Sequence, residues 1–248
     1  MNTTPRTSRP LARLDLGFEV LHSPDWPVLT IKVDGVDRFA AVASDWRGFD
    51  PGQMLGPLSP LIPEPFGRRV ALCRCSCGEA GCGVMAPLIV ESPDGRTISW
   101  LDFRDYVGVF GGPTVAEAVD SDGREWGLPD IHFDRDQYLA EVGRASSDRS
   151  WETPQRRVAR LVFERVQPMG LVLPPHLALA WTAPAASGAG VDVMFEHGSR
   201  EPRPRFEQRR LRLASSHSDP DDAAEDMVEQ LLSVSPEDWV RTFGRPIG

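Results

Sequence analysis

Lysine is all but missing from this chain: Lys32 stands alone among 248 residues. A mechanism that depends on lysine, such as Schiff-base formation, would rest on that single residue, in what reads as an ordinary hairpin. Basic charge is thin altogether. Lys and Arg total 27 against 36 Asp and Glu, for a formal net charge of −9. Binding to a phosphate backbone relies on basic residues displacing counterions, so nucleic acid is excluded as a partner. The one basic concentration, Arg200 to Arg212, has two glutamates within it and is followed by Asp219, Asp221 and Asp222. It reads as the solvated face of a strand. Long apolar runs are absent too, and no stretch approaches the ~20 residues that a membrane-spanning helix needs. Residues 1–10 are polar with two arginines and no apolar segment, which predicts a disordered tail rather than a signal peptide. A cytoplasmic location is expected, with thiols kept reduced.

Several motifs that carry chemistry are also missing. Gly108-Val-Phe-Gly-Gly-Pro lacks the lysine and hydroxyl of a phosphate loop, and no G-x-G-x-x-G opens a helix. No serine sits in a Gly-x-Ser-x-Gly elbow. No nucleophile–base pair stands out.

What the chain does have is a core. Hydrophobic residues make up 41%, and seven tryptophans are spread from Trp26 to Trp239. That composition fits one large domain or two small ones. Leu11–Leu21 and Val28–Val33 read as strands, the second turning through Asp34-Gly35 into Val36–Val42. Asp45–Pro65 reads as a surface loop, and Arg69–Cys77 as a strand. Val84–Glu91 and Arg96–Phe103 form a hairpin about Pro93-Asp94-Gly95. Gly108–Gly127 reads as a linker with one helical turn.

Helices are predicted from about Gln137 to Ala145, capped by Asp134 or Asp136, and from Pro154 to Val166, opened by Thr153. Three strands follow, Leu177–Thr182, Val191–Phe195 and Arg205–Leu213, then a helix after Asp219-Pro220. The expected fold class is α+β, with a β-meander N-terminal half and a helix–three-strand–helix C-terminal half. The expected regions are 11–107, a linker at 108–135, and 136–248, with one shared core an open alternative. The C-terminal order is that of double-stranded-RNA-binding domains. Those modules grip phosphates with basic residues at the last helix, where this chain has Asp219, Asp221 and Asp222.

All four cysteines fall within ten residues: Cys73, Cys75, Cys77 and Cys82. Packing alone scatters cysteines with the hydrophobic pattern, whereas clustering brings sulfur to sulfur or several sulfurs to a metal. Zinc holds thiolates tetrahedrally at about 2.3 Å. In a straight strand Cys73 and Cys77 would lie about 13 Å apart, at ~3.3 Å per residue. Either the strand bends near Cys75 or Cys73 is not a ligand. Cys77 and Cys82 suit one ion best, because Gly78 and Gly81 permit a tight reversal between them. The ligand order is therefore Cys77 and Cys82, then Cys75, then Cys73.

A fourth ligand could be His22, His132, His176, His197 or His217. His132 is favoured, since Asp130 and Asp134 flank it and could orient its imidazole. Structural zinc is the favoured reading. Metal-free thiols and a redox pair, Cys77 with Cys82 or Cys75 with Cys77, are the alternatives. Asp130, Asp134 and Asp136 with His132 could instead supply acid–base groups, but an acidic helix cap explains them more simply.

The segment from Cys75 to Gly83, followed by an apolar strand and Ser99-Trp100-Leu101-Asp102-Phe103, resembles a group of uncharacterised actinobacterial proteins. They share a Cys-Gly-x-x-Gly-Cys-Gly turn followed by a Trp-x-Asp-Phe stretch. The resemblance covers residues 69–105. Relatives in that group often place a cysteine three residues before the one matching Cys77, where this chain has Arg74. The group implies no reaction. The expectation is a non-enzymatic protein with a zinc-stabilised cysteine turn, acting on a protein partner. The rival is an enzyme, either a thiol redox protein or a hydrolase near His132.

Overall fold

In the computed structural model of the chain, residues 10–20, 26–56, 58–115, 123–173, 176–185, 190–197 and 208–245 are described. The chain divides into two compact units, residues 1–151 and 152–248. Each has its own cluster of buried apolar side chains. Both strands and helices are present, making the fold mixed α+β.

Among its described residues the first unit runs β1 (Leu14–Val20), β2 (Pro27–Val33), β3 (Arg47–Gly48), α1 (Pro51–Met54), β4 (Arg68–Arg69), β5 (Cys73–Arg74), β6 (Val84–Glu91), β7 (Thr97–Asp105), β8 (Arg124–Glu125), β9 (Ile131–Asp134) and α2 (Arg135–Ser147). β1 and β2 pair antiparallel as a two-stranded sheet. A seven-stranded sheet has the order β3-β5-β6-β7-β8, with β4 also on β6 and β9 also on β7.

The strand expected over Val36–Val42 does not form. Asp34 and Gly35 take positive φ, and the chain makes only a bridge between Val33 and Val36. The Asp37 carboxylate then accepts from the Phe39 and Ala40 amides, turning the backbone away from any ladder. The strand expected over Arg69–Cys77 is likewise broken into β4 and β5. Between them the Val70 and Leu72 amides still donate to the Pro87 and Met85 carbonyls of β6, but the register slips by one residue from Arg69–Leu88 to Cys73–Met85, while the outward Ala71 amide donates to the Pro113 carbonyl.

The β6–β7 hairpin forms as expected, with a register shift opposite Pro87. Proline has no amide to give the ladder, so β7 bulges there, and Asp102 takes a φ of 49°.

β9 leads straight into α2, whose first turn is capped by Asp134 accepting from the Gln137 amide at 3.0 Å. This helix, read from sequence as the start of the second region, belongs to the first unit. Its polar face explains why. Gln137 both donates to the Leu14 carbonyl and accepts from the Leu14 amide, while Glu141 accepts from the Leu16 amide. Two side chains of α2 thus stand in for a neighbouring strand along β1.

The second unit runs α3 (Pro154–Val166), β10 (Val172–Leu173), β11 (Leu177–Pro184), β12 (Val191–His197), β13 (Gln208–Leu213), α4 (Pro220–Leu232), α5 (Trp239–Phe243) and β14 (Gly244–Arg245). Its strands form one antiparallel sheet in the order β10-β11-β12-β13-β14. Thr153 caps α3, and Asp219 caps α4 through the Asp221 and Asp222 amides. Val158, Val162 and Val166 of α3 are buried with Met227 and Leu231 of α4 and with Trp239. Each such side chain stabilises by roughly 1.5–3 kcal/mol relative to exposure. The helix–three-strand–helix order is present, with the short strands β10 and β14 added at the sheet's edges.

Candidate functional site: the cysteine turn

The loop between β5 and β6 is built by backbone hydrogen bonds. The Gly78 amide donates to the Cys75 carbonyl at 2.9 Å, and the Cys75 amide to the Gly83 carbonyl at 3.0 Å. Ala80–Cys82 forms a single 3-10 turn. Gly78 has a φ of 90°, which only glycine adopts without strain, so the chain reverses at that point.

The reversal gathers three sulfurs. Cys77 lies near enough to Cys75 and Cys82 for both thiols to act on its ionisation. The Glu79 amide donates to the Cys77 sulfur at 3.4 Å. That amide, followed by the two neighbouring thiols, pulls the Cys77 thiol below its ordinary pKa. Cys82 shifts the opposite way, raised by its hydrogen bond to Cys77 and by the negative charge there. Cys77 and Cys82 are both exposed, and no disulfide links any of the four.

Cys73 does not join the other three. It lies in β5, 8% exposed, in the apolar core of the unit. Burial, with Asp37 nearby, pushes its thiol up to about 12. Among the described residues no group of three or more His, Cys, Asp or Glu side chains is arranged to hold a metal ion.

The turn stands on a braced base. Trp46 and Trp126 meet edge to face at 4.9 Å, and the Trp126 indole donates to the Val84 carbonyl. Asp105 accepts from the Val84 amide at 3.0 Å and pairs with Arg124. The neighbouring loop is tied on by the Gly108 amide donating to the Gly81 carbonyl at 2.8 Å. This leaves Val107 and Val109 exposed beside the turn. Sequence reading assigned Trp46 and Trp126 no role. Their only signal was their type, because the contacts span tens of residues.

The histidines lie elsewhere. His132 pairs across the sheet with Ser99, its Nδ1 2.8 Å from the Ser99 hydroxyl. His176 and His217 belong to the second unit. His22 and the His197 side chain lie outside the described residues. The acidic group near His132 is in structural use: Asp134 caps α2 and Asp130 accepts from the Asp102 amide. Asp136 is exposed in the first turn of α2.

Comparison with family models, with curated proteins and with solved structures gave no match. No helix among the described residues is long and apolar enough to cross a membrane.

Proposed function

We propose that this protein is a non-enzymatic protein-binding module whose cysteine turn is stabilised by zinc. One observation carries the reading: the glycine-built turn brings Cys75 and Cys82 near enough to Cys77 that both thiols act on its ionisation. Side by side, three thiolates repel one another, and a divalent cation removes that cost while adding folding free energy. Cys73 stays outside the ligand set, since its thiol is buried and hard to ionise. The fourth position is filled by water or by a group from outside the turn. Val107 and Val109, held beside the turn by Gly108, supply the apolar surface for a protein partner. Residence in the cytoplasm, where thiols stay reduced, suits such a site.

The test is elemental analysis of protein purified reduced and without a metal-binding tag, alongside a thiol titration. About one zinc per chain, with three thiols protected until a chelator is added, is the expected result. Metal-free protein with freely reactive thiols would remove the reading.

A second reading, thiol–disulfide exchange, is favoured by the contrast between Cys77 and Cys82. A thiol of lowered pKa beside one of raised pKa is the arrangement of a nucleophile and its resolving partner. Rapid, reversible Cys77–Cys82 disulfide formation in metal-free protein would select it over zinc.

A further inference from the structure

Next to the cysteine turn, two arginines face each other across neighbouring strands. Arg47 of β3 is the register partner of Arg74 of β5. Like charges directly opposite in an antiparallel pair are destabilising. Neither guanidinium has an ion pair or hydrogen-bond partner among the described residues, and the Nε of Arg74 is buried without one. Arg74 instead lies over the ring of Phe49, 5.0 Å from its centroid. Phe49 is fully buried, so the guanidinium is positioned by packing rather than by a counter-charge.

Most arginines of the first unit, Arg13, Arg38, Arg68, Arg69, Arg104, Arg124, Arg135 and Arg144, pair with a carboxylate. The chain has carboxylates to spare, 36 against 27 basic residues. Glu79 and Cys77 of the turn act on Arg74 through their charge, yet neither makes an ion pair with it. A like-charge pair without an ion pair of its own is a local cost that the Phe49 ring and the acids of the turn offset only in part. Such costs persist where a ligand relieves them.

We propose that Arg47 and Arg74 form a binding site for an oxyanion, a phosphate or carboxylate group carried by a small ligand. Two guanidiniums carried at opposed register positions can each offer N–H donors to one oxyanion. Neither arginine is a candidate metal ligand, although the charge on Cys77 acts on Arg74.

The experiment is an NMR titration of the reduced full chain, following the arginine side-chain Nε–H resonances. Inorganic phosphate and glutarate are the two probes, with potassium chloride at matched ionic strength as the control. Saturable shifts of Arg47 and Arg74 with either probe, absent with chloride, are expected. Arg47→Gln and Arg74→Gln should each weaken binding by about tenfold or more. Arg47→Gln leaves the Phe49 contact of Arg74 in place, so it decides the matter even if Arg74→Gln does not fold. Tighter binding of phosphate would assign a phosphorylated ligand, and tighter binding of glutarate a carboxylate one. Shifts that chloride reproduces, or that persist unchanged in Arg47→Gln, would overturn the proposal.

Discussion

The Trp100 indole donates to the Tyr138 hydroxyl at 3.1 Å, joining β7 to α2 inside the core of the first unit. The Tyr138 hydroxyl in turn donates to the Leu61 carbonyl at 2.8 Å, so three distant segments share two hydrogen bonds. Both aromatic side chains are fully buried. Burial keeps the Tyr138 phenol protonated far above its ordinary pKa, and so able to donate.

Tyr138→Phe should therefore leave the Trp100 N–H and the Leu61 carbonyl buried without partners. The expected loss is about 1–3 kcal/mol, larger than the net value of an average hydrogen bond. Urea denaturation of the two proteins measures it, and a loss below ~0.5 kcal/mol would mean that water replaces the hydroxyl.

Asp102 is gripped by two arginines: Arg104 at 2.8 Å and Arg69 at 2.6 Å. Arg104 first, and then Arg69, hold its carboxyl below the usual carboxylate range against the opposing effect of burial. A depressed folded pKa gives stability that is present above the unfolded value of about 3.9 and lost as pH falls through the folded one. Asp102→Asn tolerates the same backbone and removes only the charge. It should cost about 1–2 kcal/mol at pH 7, reduced from a buried pair's value because Asp102 is partly exposed. The difference from wild type should vanish in strong acid. Equal differences at pH 7 and pH 2 would contradict this account.

The cysteines should separate by role. Cys77→Ser should reduce zinc content to background, because the removed sulfur is the one on which both other thiols of the turn act. Cys73→Ser should retain the metal and lose about 1–3 kcal/mol of stability, the cost of placing a hydroxyl in an apolar core. Elemental analysis and thermal melts of both variants check this. Loss of zinc in Cys73→Ser with the fold intact would return Cys73 to the ligand set.

Gly48 touches backbone. A Cβ added there would sit 1.9 Å from the Leu29 carbonyl oxygen, where β3 is tied to β2 by the Leu29 amide donating to Phe49. Gly48→Ala should destabilise by at least about 2 kcal/mol, since backbone cannot move aside as a side chain can. Gly111→Ala, which meets nothing within 4 Å, should fall within about 0.5 kcal/mol of wild type. Chemical denaturation of the pair makes the comparison.

The elements most legible in the sequence were those specified by neighbours in the chain. Thr153-Pro154 and Asp219-Pro220 mark the starts of α3 and α4, because capping uses amides only two or three residues away. The β6–β7 hairpin was readable for the same reason, its turn residues lying between its own two strands. Asp34-Gly35 misled: it makes its turn, but Asp37 then diverts the chain that was expected to continue as a strand.

In the candidate site, the sequence by itself determined that the four cysteines would fall within ten residues and that Gly78 could fold Cys82 back toward Cys77. Only the tertiary structure decided that Cys73 turns into the core, because β5 must bury one face against the rest of the unit. It also decided that Arg47 opposes Arg74, and that Trp46, Asp105 and Trp126 brace the turn. These contacts join residues more than twenty positions apart. Their partners are selected by sheet register and shared burial, which no local pattern of residue types encodes.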